Sequence, residues 1–283
     1  MYARGVRNLQ GRVAVVTGAA SGIGRAVAVE LAGRGCALAL VDVNERGLAE
    51  TADRVRALGR KVSLHVADVA DRARMERLPA EVMAEHGHVH VVVNNAGVSV
   101  SGELADQSLD DFHWIVGINF WGVVYGCKLF LPHLLREDEG HIVNISSLFG
   151  LVGVPTQVSY NATKYAVRGI SEALISELWG TNVRVTCVHP GGIRTNIVRA
   201  GRASTPKDVE DNKNTADAFE RFAMPPEKAA RKIVRAIERN QARVRIGVET
   251  YLGDWAKRLF PVATQKLVGW GFRRREMRLA RQR

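Results

Sequence analysis

The chain has 283 residues, 46% of them hydrophobic, enough to fill the core of one large α/β domain or two small ones, which excludes a disordered chain. A formal net charge of +11 suggests nucleic acid or an anionic membrane only until its location is read: residues 254–283 hold nine Lys or Arg against Asp254 and Glu276, and the rest of the chain carries a surplus of four. No uninterrupted apolar run offers a membrane span, residues 1–11 lack the apolar run of a secretory signal, and Cys36, Cys127 and Cys187 are too dispersed for a disulfide framework or a C-x-x-C metal site, so a cytoplasmic, metal-free protein with buried thiols is expected.

Along the chain, apolar β-branched runs alternate with amphipathic stretches, the pattern of strands joined by crossover helices. The first strand, Val13–Thr17, runs into Gly18-Ala19-Ala20-Ser21-Gly22-Ile23-Gly24 and then a helical pattern over 25–34. Glycines there let the chain turn tightly, let a pyrophosphate approach the backbone and let helix and sheet pack closely, while the helix N-terminus offers unpaired N–H groups and a positive dipole. The second strand, Ala37–Asp42, ends on a carboxylate that can accept from both hydroxyls of an adenosine ribose. A 2′-phosphate would meet that charge, and neither Ser21 nor Val43 is basic, so NAD is preferred; Arg46 nearby leaves NADP open. The structural alternative for Asp42 is a helix cap.

Further strands are expected at 61–66, 89–94, 141–146, 183–188 and, on a weaker pattern, 243–248. Their near-continuous hydrophobicity implies burial on both faces, as in a parallel sheet flanked by helices, and with no linker or repeat in sight one domain over 1–250 is favoured. Residues 191–226 break the alternation with a long polar insertion, read as a lid, before a helix resumes at 227–240. Residues 251–283 form a basic C-terminal extension in which Trp255, Leu259, Phe260, Leu267, Val268, Trp270 and Phe272 lie among the cations. Peripheral membrane contact or a nucleic-acid contact would suit that mixture. The reading adopted is a helix docked by its aromatics on its own subunit or a neighbour, followed by a solvated tail, with no nucleic acid as partner.

Gly18, Asp42, Asp68, Asn95, Ser147 and Pro190 all fall just past the C-terminal ends of predicted parallel strands, the edge where open α/β sheets bind ligands. Reducing a ketone there needs a hydride donor, a proton donor and stabilisation of the developing alkoxide; oxidation runs the same parts backwards. Tyr160 and Lys164 are one helical turn apart, so the ammonium is expected to lower the tyrosine pKa from its ordinary value of about 10.

The glycine turn, Asp68-Val69, Asn94-Asn95-Ala96-Gly97, Asn119, Ser147, Tyr160-x-x-x-Lys164 and Pro190-Gly191, in this order and spacing, resemble the short-chain dehydrogenase/reductase family over about residues 11 to 248. The resemblance implies a single doubly wound Rossmann-type α/β domain with a seven-stranded parallel sheet, assembled as a homodimer or homotetramer. It implies that Gly18, Ser21, Gly22, Ile23, Gly24, Asp42 and Val43 bind the adenosine end of the cofactor and that Asp68 and Val69 hold the adenine. Asn95, Ala96 and Gly97 would line the cofactor channel, and Pro190, Gly191, Ile193 and Thr195 would cover the nicotinamide. In the same family pattern Tyr160 exchanges the proton, Lys164 also holds the nicotinamide ribose, Ser147 donates to the substrate oxygen, and Asn119 holds a water that links Lys164 to solvent. Each of the four has a plain alternative: a half-buried tyrosine, a solvated lysine, a capping serine, an asparagine at a bend.

The apolar stretch 148–155 and the lid should build the pocket, which favours an apolar or medium-sized alcohol or ketone; Arg194, Arg199 and Arg202 would serve an acidic group instead. His189 is read as structural. A catalytically silent nucleotide-binding regulator of the same fold is the alternative function, against which the intact Asn-Ser-Tyr-Lys set argues.

Overall fold

A computed structural model describes residue 6 and residues 8–280. Most of the segment read for a secretory signal, and the tail cations Arg281 and Arg283, lie outside the described residues. The strands in chain order are β1 (Val13–Thr17), β2 (Ala37–Asp42), β3 (Val62–Val66), β4 (Val91–Asn94), β5 (Val100–Ser101), β6 (Gly140–Ile145), β7 (Val183–Pro190), β8 (Arg202–Ala203) and β9 (Arg243–Ile246). The helices are α1 (Gly22–Gly33), α2 (Glu45–Ala57), α3 (Arg72–His86), α4 (Leu109–Val116), α5 (Gly122–Leu134), α6 (Val158–Glu177), α7 (Pro206–Phe222), α8 (Pro226–Glu238), α9 (Val248–Leu259) and α10 (Pro261–Ala280).

Seven strands form one parallel sheet in the order β3-β2-β1-β4-β6-β7-β9, so the chain steps outward from β1 to β3 and then returns to the other side of β1. That reversal between β1 and β4 opens a crevice at the C-terminal edge. The central strands are apolar on both faces because helices cover both: Ala14 and Val16 of β1 pack into the layer containing Val27, Leu31, Leu48 and Ile233, whereas Val15 packs into the layer containing Met75, Phe130 and Val167. Each large side chain buried this way contributes roughly 1.5–3 kcal/mol, which fixes the register of the sheet and hence the height of every residue at its edge.

Helix starts follow the side chains that can cap them. Asn44 accepts from Gly47 N at 3.0 Å, Asp71 from Arg74 N at 3.0 Å and Ser108 from Asp111 N at 3.0 Å, so the cap of α2 is Asn44 and not Asp42. A π-helical turn over Gly117–Trp121 joins α4 to α5, making one continuous run, Leu109–Leu134, of 26 residues. The run is long and apolar enough to cross a bilayer, yet Val123, Cys127, Phe130 and Leu134 are spent in the core.

Two regions depart from the sequence reading. The lid at 191–226 is not irregular: it contains β8, paired in parallel with β5, and the 17-residue helix α7. The start of α7 is a capping box in which Asp208 N donates to Thr205 Oγ1 at 3.2 Å while Thr205 N donates to the Asp208 carboxylate at 3.0 Å, with Pro206 in the first turn. The C-terminal extension forms two helices, α9 and α10, whose aromatics are not docked on their own subunit: Trp255, Phe260 and Trp270 are exposed, with only Val268 and Phe272 half-buried.

Candidate functional site

Tight packing builds the glycine turn. Gly18 has φ 66° and Gly22 φ 54°, and a Cβ on Gly24 would stand 2.0 Å from Gly18 O. Asn95 locks the turn from the neighbouring strand: its Nδ2 donates to Thr17 O at 3.0 Å and Gly18 O at 3.2 Å, and Thr17 Oγ1 accepts from the backbone N of Asn95 (3.0 Å) and of Ala96 (3.1 Å). The side chain of Asn95 therefore shapes the channel rather than facing an occupant. Ser21 stands exposed at the N-cap of α1 without bonding its backbone, the first turn contains no acid, and the first N–H groups of a helix have no helical acceptor. Thr195 Cγ2 lies 3.1 Å from the position a Cβ on Gly22 would take, so the chain after β7 closes directly over the turn, with Ile193 buried beneath. A cleft of about 690 Å³ on the outer flank is lined by Ser21, Gly22, Arg25, Arg194 and Thr195; it adjoins the phosphate end of the crevice and not the tyrosine. A dinucleotide pyrophosphate fits this donor set.

Asp42 ends β2 with its carboxylate accepting from Ala20 N and Asn44 N, both at 3.0 Å. Arg25, a cation the sequence reading did not single out, bonds the O of the same Ala20 whose N bonds Asp42, and its guanidinium is otherwise occupied by Glu50 at 2.8 Å and Thr51 Oγ1 at 3.1 Å. Arg46 points to solvent, 4.0 Å from Glu50. Val43 is exposed next to Asp42. Asp68 is exposed at the end of β3, its carboxylate accepting from Ala70 N at 2.9 Å, and the Val69 side chain is buried against Gly122 of α5, which leaves the Val69 backbone as the part that would meet an adenine.

The four proposed catalytic residues come from three elements and meet on one wall. Lys164 is 3% exposed, its Nζ donating to Ile145 O at 3.0 Å and lying 5.6 Å from the centroid of the Tyr160 ring. That excludes a solvated lysine. Asn119 sits in the π-helical turn, fully buried: Oδ1 accepts from Val98 N at 2.8 Å, and Nδ2 donates to Val98 O at 2.9 Å and Thr163 Oγ1 at 3.2 Å. Gly97 separates it from the lysine, since a Cβ there would be 3.3 Å from Asn119 Oδ1 and 3.4 Å from Lys164 Nζ. Ser147 caps the short 3₁₀ turn Leu148–Gly150, its Oγ accepting from Phe149 N at 3.1 Å, and its hydroxyl stands beside the Tyr160 phenol. It plays the capping part and faces the tyrosine at once.

Burial, not the lysine, dominates the titration of Tyr160. Removal from water pushes the phenol up to about 12, with the Ser147 bond opposing, while the same burial pushes Lys164 down to about 8. The expected lowering of the tyrosine by Lys164 does not prevail: burial raises the phenol, and the ammonium is bonded to Ile145 O. At neutral pH Tyr160 is thus a protonated donor beside a largely cationic lysine.

Two residues set this geometry: Asn161, which the sequence reading missed, and His189, which it read as structural. Asn161, adjacent to Tyr160, donates to Phe149 O at 2.7 Å and Val152 O at 2.9 Å and accepts from Val154 N at 3.0 Å, pinning the apolar 148–155 wall to α6. Buried His189 at the end of β7 reaches Ser147 O through Nδ1 at 3.2 Å, and burial pushes its pKa down to about 4, so it is a neutral support. Of the lid arginines, Arg199 pairs with Asp217 at 2.9 Å, and Arg202 pairs with Asp111 at 2.8 Å while stacking 3.8 Å above the Trp114 ring; Arg194 stays exposed. Pro190 ends β7, and Gly191 N donates to Ile246 O at 2.8 Å.

At the opposite edge of the sheet His88, His90 and Glu137 bring ligand-type atoms within 4.8 Å of one another. His90 Nδ1 accepts from Val13 N at 3.1 Å, so its Nε2 carries the hydrogen that faces Glu137 and offers no lone pair to a cation in this arrangement.

The short chain dehydrogenase family model matches residues 12–206. The Mycobacterium tuberculosis protein SadH is 45% identical over 268 residues, covering 93% of this chain and 96% of that protein. The 3-oxoacyl-[acyl-carrier-protein] reductase FabG of Thermotoga maritima is 31% identical over 221 residues, covering 78% of this chain and 88% of that one. Among solved structures, a short chain dehydrogenase/reductase from Burkholderia phymatum in complex with NAD superposes with a TM-score of 0.82 at 32% identity, covering 88% of this chain and 92% of its own.

Proposed function

We propose that this chain, which belongs to the short chain dehydrogenase family, is an oxidoreductase that moves a hydride between NAD(H) and a secondary alcohol or ketone. The observation that carries the reading is the wall itself: buried Lys164 beside half-buried Tyr160 and Ser147 at the sheet edge where the glycine turn opens. The nicotinamide, when bound, supplies or accepts the hydride. The turn Gly18 to Gly24 and the first N–H groups of α1 would hold its pyrophosphate, Asp42 the adenosine ribose, and Gly97, Ile193 and Thr195 the channel beyond.

Tyr160 donates the proton to the substrate oxygen in reduction and takes it back in oxidation; a phenol held up to about 12 is ready for the first of these at neutral pH. Ser147 steers that oxygen and stabilises its charge with a hydroxyl hydrogen. Lys164, cationic below about 8, stabilises the phenolate left after donation and would reach the nicotinamide ribose. Asn119 holds the π-helical turn against Val98 and would hold the water that links Lys164 to solvent.

The preference for NAD is supported by the charge of Asp42 and by the capture of Arg25 by Glu50. The apolar 148–155 wall supports an apolar or medium-sized substrate, and the pairing of Arg199 and Arg202 within the protein speaks against an acidic one. A screen of alcohols and ketones at the nicotinamide absorbance, run with both cofactors, tests the reading. Turnover with a higher specificity constant for NAD is expected; tight nucleotide binding with no turnover on any compound would favour the silent regulator, and a higher specificity constant with NADP would overturn the role of Asp42.

A further inference from the structure

The arm formed by α9 and α10 is held on one side and bare on the other. At its root the buried carboxylate of Asp254 accepts from Arg243 Nη2 and Arg245 Nη1, both at 2.8 Å, and from Arg258 Nε at 3.2 Å. Glu249 Oε1 accepts from Gly192 N at 2.9 Å, and Gln265 Nε2 donates to Gly153 O at 2.8 Å, so the arm is fastened both to the turn after β7 and to the wall of the proposed pocket. The two helices are fastened to each other by Lys257 Nζ, which donates to Pro261 O at 3.1 Å and Gln265 Oε1 at 3.3 Å. Such anchoring fixes which way the remaining side chains look.

Those remaining side chains are large, apolar and out of the core. Leu252, Trp255 and Leu259 recur at one-face helical spacing on α9, and Leu267 and Trp270 do so on α10; Trp255 is 56%, Leu267 65% and Trp270 53% exposed. Cations accompany them, for α10 alone carries Lys266, Arg273, Arg274, Arg275 and Arg278 against Glu276, and Arg274 stacks 4.1 Å above the Trp270 ring. A second copy meeting this face about a twofold axis would set one cationic α10 against another, and like charges oppose that contact. An anionic lipid surface satisfies both features, taking aromatic rings at headgroup depth and guanidinium groups at the phosphates.

We propose that α9 and α10 form an interfacial arm that docks on an anionic phospholipid bilayer and sets the 148–155 wall at the lipid surface. Docking is independent of the redox reading and is measured without turnover. The full-length protein is floated with phosphatidylcholine vesicles, with and without phosphatidylglycerol, at low and high salt. Binding is expected only with phosphatidylglycerol and is expected to weaken as salt rises. Trp255→Ser combined with Trp270→Ser, and separately Arg273→Glu combined with Arg274→Glu, should each lower it about tenfold or more with melting temperature unchanged. Wild-type protein that stays unbound, or variants that float like wild type, would overturn the proposal. So would a change in solution mass of the tryptophan variant with no lipid binding by the wild type, which would make the face a contact between copies.

Discussion

The α6 wall and the lid both border the C-terminal edge of the sheet, yet they are held by different kinds of interaction. Behind the wall the polar groups are buried and bonded: Lys164 to Ile145 O, Ser146 Oγ to Lys164 O at 2.8 Å, Asn119 to Thr163, Asn161 to the 149–154 backbone. The lid is fastened by two-residue pairing between β5 and β8, by two bonds from the body, Ser99 Oγ to Ile197 O at 2.7 Å and Ser101 Oγ to Asn212 Oδ1 at 2.8 Å, and by the surface ion pair of Arg202 with Asp111, while Arg199 with Asp217 ties it only to itself. Losing a partner in a buried network strands a polar group at a cost of about 1–3 kcal/mol, whereas an exposed ion pair contributes about 0–1 kcal/mol. The wall is therefore built to keep proton-transfer geometry fixed and the lid to give way, which separates the chemistry from the choice of substrate.

Breaking the wall should cost most. Lys164→Met is expected to lower kcat about a hundredfold or more by removing the cation that stabilises the phenolate, with the fold retained because an apolar side chain of similar length replaces a buried charge; steady-state kinetics beside a melting curve checks both halves. Asn161→Ala leaves the 149–154 backbone without its partner, so stability should fall by about 1–3 kcal/mol in denaturant titration and KM should rise. Arg202→Ala in the lid should shift stability by less than about 1 kcal/mol and change KM more than kcat; an equal loss to that of Asn161→Ala would erase the contrast.

Acid provides a third probe of the buried side. Burial pushes His141 down to about 3 and His189 down to about 4, so between these values and their ordinary 6.5 the unfolded chain binds more protons than the folded one. Stability is then complete above about 6.5 and is lost progressively as pH falls toward 4 and below. His189→Gln should flatten the upper part of that loss in thermal melts across this range.

The sheet was legible because its central strands are buried on both faces, leaving a hydrophobic run that needs no partner to be recognised, as in Ala37–Asp42, whereas the edge strand β9 (Arg243–Ile246), buried at alternate residues, gives the weaker pattern. Tyr160, Lys164, Ser147 and Asn119 were legible from their intervals, and the folded chain gathers them on one wall. Helix α7 was obscured by its polar composition, although Thr205-Pro206-Lys207-Asp208 spells out its capping box. Titration was the least legible property: the Tyr160–Lys164 spacing implies attraction, but only the fold reveals that Ile145 O takes the ammonium and that burial outweighs it. Asn161 was hidden for a related reason, since it acts by bonding backbone carbonyls brought near it by the fold, whereas His189 was read as structural and bonds Ser147 O in that part.

The claim that Tyr160 is the proton donor of a fixed wall meets its most direct test in Tyr160→Phe, which deletes one oxygen and leaves the ring that packs edge-on against Phe149. Turnover and NADH binding, the latter by fluorescence titration, should be measured on the same preparation. The account predicts activity below about a few percent of wild type with nucleotide affinity within about twofold; substantial activity with binding intact would contradict it.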